Sequence, residues 1–339
     1  MTLKWGVLGA GSVAQRRAIP AINKAKGAEL HALFSRTAER AERIVAEHGA
    51  GTYYTAVPDL LSDSELDAIY VSTPVYLHCE QVVQAAEQGL HVLCDKPMAM
   101  NPEECQRMIG ACEANGVHLE ICFLFRFHSC FKQIRNWVHA GRLGQIVQGR
   151  MPLLKPFPIP HEAWRGNPDQ GGGGCLMDLG AHSVDLLRYI VGEVSEVSAF
   201  CNSAIYDYNV EESGLIMMRF ENGAQGFTDT SFAAAGCDLV IEVYGTDGWV
   251  LVYNDGGWKI KTFFKGEHQI IRSHYEDLYQ FQFEHFARCV TEGEQPIVTG
   301  LDGLRTNEIL AAAYESDRTG RAIRCSVSSP LGATNWHES

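Results

Sequence analysis

Lys4-Trp5-Gly6-Val7-Leu8-Gly9-Ala10-Gly11-Ser12-Val13-Ala14 is the stretch that decides how the chain is read. A short apolar run ends in a glycine turn, and a helical pattern follows over residues 13–24. Strand, turn and helix carry the spacing Gly9-x-Gly11-x-x-Ala14, a dinucleotide fingerprint with alanine in the third small position. Gly9 permits the tight turn, Gly11 lets the backbone approach a pyrophosphate, and Ala14 lets the helix pack close to its strand. Ser12 and Val13 open the helix, whose positive dipole end would face the phosphates. Glycine turns of this kind are common, so the motif gains weight from its context. It follows a strand, opens a helix, and a second strand-like run begins about 20 residues after Gly9, as the fingerprint requires.

Outward from this unit, strands and helices alternate. Apolar strand patterns cover residues 5–8, 30–34, 68–71, 91–94 and 119–123, and helical patterns cover 37–48, 78–88 and 101–115. Gly49, Gly89 and Gly116 fall where a helix needs a left-handed closing residue. Asn101-Pro102-Glu103-Glu104 has the order of an N-cap, a proline at the first helical position and a glutamate able to reach back. The alternation predicts a doubly wound parallel sheet.

The end of the second strand bears on the cofactor. A carboxylate there binds the ribose hydroxyls of NAD. This chain has Ser35-Arg36, with Arg40 one turn on, so no carboxylate repels a 2′-phosphate and two guanidinium groups can bind one. NADP(H) is favoured over NAD(H), although both arginines also suit a solvated helix start. Two further strand ends address the same crevice: Ser72-Thr73-Pro74, with His78 opening the next helix, and Cys94-Asp95-Lys96-Pro97. From spacing alone, a salt-bridged structural role is the simpler reading of Lys96.

The 339 residues carry 46% hydrophobic and 20% charged residues and a net charge of −13, without a basic block. This disfavours nucleic-acid and anionic-membrane binding. Eleven scattered cysteines without a Cys-x-x-Cys pair indicate reduced thiols in a cytoplasmic protein and no metal site. No run is long enough to span a membrane.

In the second half, residues 131–140 are helical and residues 152–168 hold five prolines around Trp164-Arg165, an irregular loop. Gly171-Gly172-Gly173-Gly174-Cys175-Leu176-Met177-Asp178-Leu179-Gly180-Ala181-His182 then leads into helical periodicity. Asp178 and His182 are four apart and project from one helix face, a spacing more often found in surface or capping pairs. Alternating runs at 194–204, 213–220, 224–232, 239–244 and 249–253 predict an antiparallel sheet of about five or six strands. Helices are expected over 275–291 and 303–319.

With Gly9-x-Gly11-x-x-Ala14, Asp95-Lys96-Pro97 and the Asp178…His182 segment, the chain resembles the Gfo/Idh/MocA oxidoreductases over nearly its whole length. The family usually carries Glu-Lys-Pro where this chain has Asp95, a shorter side chain with the same charge. The resemblance implies an N-terminal Rossmann domain, residues 1–124. It implies a C-terminal domain, residues 125–325, with an open, largely antiparallel sheet covered by helices on one face. Residues 326–339 are expected to be a mobile tail. It implies that Lys96, Asp178 and His182 are catalytic and that Arg126 joins them at the substrate. Ser72, Thr73, Pro74, His78, Asp95, Trp164 and Arg165 would line the cofactor groove. Ser35 with Arg36 and Arg40, and the Trp164-Arg165 pair, are similar to the NADP-using branch that includes 1,5-anhydrofructose reductase. The implied activity is hydride transfer between nicotinamide and a carbinol or ketone carbon of a sugar, cyclitol or sugar-derived substrate. The sheet's open face would pair subunits into a homodimer or homotetramer. The rival readings are a non-catalytic NADP(H)-sensing regulator and a reductase of dihydrodiols or pigments on the same fold.

Overall fold

A computed structural model describes residues 1–159 and 163–325. The first sheet is parallel and contains β1 (Leu3–Leu8), β2 (Ala28–Phe34), β3 (Thr52–Tyr54), β4 (Ala68–Val71), β5 (His91–Cys94) and β6 (Leu119–Ile121). Its order is β3-β2-β1-β4-β5-β6, so the chain reverses direction across the sheet between β1 and β4. β4 is buried at every position, as expected of a strand covered on both faces. The expected helices appear at Ala38–His48, His78–Glu87 and Pro102–Ala114. The last begins as its sequence predicts. Asn101 accepts from the Glu104 N–H at 2.9 Å, and the Glu104 carboxylate reaches back to the Met100 N–H at 3.1 Å. β3 and the short helix Val57–Leu61 were not anticipated, because neither is long enough to display a period.

The second sheet contains β7 (Ile146–Arg150), β8 (Leu153–Leu154), β9 (Val194–Asn202), β10 (Ser213–Phe220), β11 (Gln225–Ser231), β12 (Leu239–Gly245), β13 (Gly248–Asn254), β14 (Trp258–Phe264), β15 (Glu267–Arg272) and β16 (Ile323–Arg324). The order is β15-β14-β13-β12-β7-β11-β10-β9-β16, with β8 beside β11. Pairing is antiparallel except where β7 and β8 meet β11. The sheet therefore exceeds the five or six strands expected. β15 is exposed along its whole length and so lacks an apolar alternation, and β8 and β16 have two residues each.

Helices Ala181–Val191 and Gly300–Thr319 cover one face of this sheet. On the other face Met217 of β10 pairs with Phe227 of β11 and Phe200 of β9 pairs with Leu215, and Phe200 and Met217 are exposed. The two sheets share helices. Leu278–Glu292 returns to the first sheet, where Phe283 and Phe286 each approach the Trp5 ring at 4.9 Å between centroids. The expected mobile tail at 326–339 lies outside the described residues.

Candidate active site

The carboxyl ends of β1, β4 and β5 converge where the strand order reverses, the position at which such sheets bind ligands. Gly9 has φ +100°, and a Cβ there would lie 2.6 Å from the Ser72 carbonyl oxygen. Only glycine allows β1 and β4 to end this close together. The space beside Gly11 is open to at least 4 Å, while Ala14 is fully buried against the strand. This is the form of a cradle for a pyrophosphate, with the first-turn N–H groups of the following helix at its edge. That helix opens as a π turn, Ala14–Ala18, before Ile19–Ile22, in place of the single helix expected. Arg40 Nη2 donates to the Ala10 carbonyl at 2.8 Å, tying the second strand's exit to the glycine loop. Ser35 is buried beside it and Arg36 is exposed. The residues present fit a nicotinamide dinucleotide.

Lys96 follows β5 by two residues. Asp95 accepts from the Lys96 N–H at 2.8 Å and faces the Tyr70 hydroxyl at 3.4 Å, which fixes the turn that aims the lysine. Lys96 Nζ donates to Asp178 Oδ1 at 2.6 Å and to the Asp178 carbonyl at 2.7 Å. Arg165 approaches the other carboxylate oxygen, with Nε 3.8 Å from Asp178 Oδ2, and its guanidinium lies 4.2 Å from the Trp164 ring centroid. Burial pushes the Asp178 carboxyl up, but Lys96 and Arg165 outweigh it and hold the group down at about 2. Val75, Pro97, Trp164, Arg165, Met177, Asp178 and Phe232 line the cleft at this point.

Asp178 and His182 do not share one regular α-helix. Asp178 sits in a π turn, Leu176–Gly180, and His182 lies in the first turn of Ala181–Val191. π turns occur disproportionately at functional sites. His182 packs against Phe125, with ring centroids 5.2 Å apart. Among the described residues the His182 ring makes no hydrogen bond, so Asp178 does not orient it directly. Burial pushes its imidazole down, Lys96 adds to this and Asp178 opposes it, leaving it at about 3. The ring is therefore neutral through the physiological range. Phe125 was not singled out from the sequence, where it is one of several aromatics in an apolar run.

Two expectations are corrected. Arg126 does not face the cleft. Its side chain is buried and donates to Asp185 at 2.6 and 3.0 Å, to Asp302 at 2.8 Å and to the Ile297 carbonyl at 3.1 Å. Burial disfavours its charge, but the two carboxylates outweigh burial and raise its pKa. His78 is buried behind the groove instead of lining it. Its Nε2 lies 2.9 Å from the Thr73 carbonyl, and its Nδ1 lies 3.1 and 3.3 Å from those of Pro97 and Met98. It thus links the loops after β4 and β5.

Glu120, His285 and Cys289 are buried with potential ligand atoms within 4.8 Å of one another. His285 Nε2 already accepts the Ile297 N–H at 3.0 Å and has Cys289 Sγ at 3.4 Å. Burial pushes the Glu120 carboxyl up to about 8 and raises the Cys289 thiol. An occupied imidazole lone pair and protonated neighbours do not fit a cation.

Residues 3–123 match the family model described as an oxidoreductase family with an NAD-binding Rossmann fold. Residues 131–251 match the GFO/IDH/MocA C-terminal domain. The chain belongs to the Gfo/Idh/MocA oxidoreductases. It is similar to a 1,5-anhydro-D-fructose reductase of Ensifer adhaerens, 30% identical over 94% of this chain and 97% of the relative. A D-xylose 1-dehydrogenase (NADP(+)) of Haloferax volcanii is also 30% identical, over 95% of this chain and 99% of the relative. Among solved structures, an aldose-aldose oxidoreductase of Caulobacter crescentus complexed with glycerol superposes with a TM-score of 0.89. It is 28% identical and is matched over 96% of this chain and 100% of its own. No helix among the described residues is long and apolar enough to cross a membrane.

Proposed function

We propose that this oxidoreductase transfers a hydride between NADP(H), preferred over NAD(H), and one carbinol or ketone carbon of a sugar, cyclitol or sugar-derived substrate. The observation that carries the reading is the meeting of Lys96, Asp178, Arg165 and a neutral His182 beside the glycine cradle. The activities named for the relatives support the substrate class. Residues 1–124 would hold the cofactor and residues 125–325 the substrate.

The nicotinamide, when bound, gives or accepts the hydride. Two of the three Lys96 Nζ donors are used on Asp178, which leaves one to meet the substrate oxygen and stabilise charge developing there. During oxidation a neutral His182 ring nitrogen takes the hydroxyl proton and passes it to solvent; during reduction the ring first takes a proton from solvent and then gives it to the substrate oxygen. Asp178 holds Lys96 in place and can accept from a neighbouring hydroxyl. Trp164, with Arg165 stacked on it, walls the cleft against water. Ser35, Arg36 and Arg40 support the NADP preference, since they present hydrogen-bond donors and no carboxylate to a 2′-phosphate. The apolar residues on the open sheet face support a homodimer or homotetramer. All eleven cysteines are unpaired, which supports a reducing, cytoplasmic setting.

The deciding experiment follows cofactor absorbance in both directions, with NADP(H) and NAD(H), on 1,5-anhydro-D-fructose, D-xylose, myo-inositol and levoglucosan. Turnover of at least one compound, faster with NADP(H), is expected. Faster turnover with NAD(H) overturns the phosphate argument. Silence with cofactor bound overturns the substrate class.

A further inference from the structure

Glu211 lies two residues before β10, far in sequence from Lys96 and His182, and its carboxylate is buried. It accepts the Gly174 N–H at 2.9 Å, the Leu176 N–H at 2.9 Å and the Tyr314 hydroxyl at 2.8 Å. Its main-chain carbonyl accepts the intervening Cys175 N–H at 3.0 Å. Three consecutive N–H groups thus end on one residue. Among the described residues no cation pairs with this carboxylate, so backbone and phenol donors alone satisfy it.

The glycine run is cut to fit this arrangement. A Cβ on Gly174 would lie 1.9 Å from the Glu211 carbonyl oxygen, and one on Gly173 would lie 2.0 Å from Tyr314 Oη. The Asp178 N–H bonds back to the Gly174 carbonyl at 3.0 Å, so the anchored turn is continuous with the segment that presents Asp178 and then His182. A glycine-rich entry has no side chains to hold it against the sheet, and its conformational freedom must be removed another way.

We infer that Glu211, with Tyr314, is a positioning residue for the reaction. It fixes the turn from which Asp178 and His182 project, and so sets their reach to Lys96 and to the substrate oxygen. This rests on the catalytic reading given above.

The test compares the wild type with Glu211→Gln and Tyr314→Phe. Glutamine keeps the volume but turns an NH2 toward one of the N–H groups. Turnover is measured on the panel compound the wild type uses fastest, with NADP(H), and divided by the number of NADPH sites titrated by fluorescence. Glu211→Gln is expected to lower kcat per bound cofactor by about 10–100-fold, the cost of a small misplacement of reacting groups, with an unchanged KM for NADPH. Tyr314→Phe lowers it in the same direction by less, and keeps the test open if Glu211→Gln fails to fold. Amide exchange of residues 174–176, read on the same samples, rises while that of β1 is unchanged.

Wild-type turnover per site in both variants overturns the positioning role. So does a loss that only follows fewer cofactor sites, which is the mark of a merely structural residue. Unchanged exchange at 174–176 overturns the anchor itself. A wild type silent across the panel overturns the substrate class, and the exchange measurement still decides the anchor.

Discussion

Replacing Lys96 with methionine removes an ammonium while keeping an apolar stem of similar length. In the wild type Nζ spans Asp178 Oδ1 and the Asp178 carbonyl at 2.6 and 2.7 Å and has one donor left for the substrate oxygen. Loss of that donor from a forming alkoxide is expected to lower turnover by about 10²–10⁴-fold, or about 2.7–5.4 kcal/mol at 1.36 kcal/mol per factor of ten. A second signature separates this from simple misfolding. His182 is held at about 3 by burial first and by Lys96 second, while Asp178 acts in the opposite sense. Without the ammonium, burial and the weaker charge of Lys155 remain to oppose Asp178, and the imidazole moves up. The base must be neutral to accept a proton, so oxidation is retained above its pKa and lost as pH falls through it. The acid limb of kcat/KM for oxidation, at saturating cofactor, therefore lies at higher pH in Lys96→Met than in the wild type. A variant with turnover within about threefold of wild type would refute the alkoxide role, given the effect expected of such donors. An acid limb displaced to lower pH would refute the electrostatic coupling.

His182→Ala is expected to cost about 10²–10⁴-fold in turnover with little change in NADPH fluorescence binding; full activity would remove the histidine from proton transfer. Arg36→Ala with Arg40→Ala should raise the KM for NADP(H) about tenfold or more and leave that for NAD(H) nearly unchanged, because each charge-assisted contact contributes about 1.5–3 kcal/mol. Equal effects on both cofactors would instead point to the Arg40–Ala10 contact and the shape of the glycine loop. Arg126→Met leaves the buried Asp185 carboxylate without its guanidinium and Asp302 with only Arg188 beside it, and urea unfolding should show a loss of about 3–5 kcal/mol. The sugar KM of the folded fraction should not change; a raised KM with normal stability would return Arg126 to the substrate.

The first sheet was legible because each of its signals is local. β4 and β5 coincide with the apolar runs at 68–71 and 91–94, and the helix after Asn101 starts where its cap predicts. The second sheet was under-read at β15, where an edge strand exposed on both faces has no apolar period to display. The site divides in the same way. Lys96, Asp178 and His182 stand in recognisable motifs; the structure joins Lys96 to Asp178 at 2.6 Å and packs His182 on Phe125. Arg126 was misplaced because an arginine in an aromatic run looks the same whether it meets a ligand or two carboxylates more than fifty residues away. Glu211 gave no signal, since its partners are backbone N–H groups thirty-five to thirty-seven positions earlier.

The electrostatics of the cleft also constrain the order of events. Lys96 and Arg165 are cationic, Asp178 is anionic and His182 is neutral, so these four sum to one positive charge, and the charge of Lys155 also reaches His182. An imidazole at about 3 is a weak base, and a carbinol hydroxyl in water has a pKa near that of water, about 15.7. Direct deprotonation ahead of hydride transfer is therefore strongly uphill. The positive balance lowers the hydroxyl's pKa by stabilising the alkoxide, and hydride departure then converts that alkoxide to a carbonyl with far lower proton affinity. On the proposed mechanism, proton removal by His182 is favourable only when coupled to these two changes. The same coupling explains why Lys96→Met should lose turnover even though it leaves His182 a stronger base. The gain in basicity is partial, because burial still holds the imidazole down, whereas the substrate oxygen would lose the positive charge proposed to make it acidic.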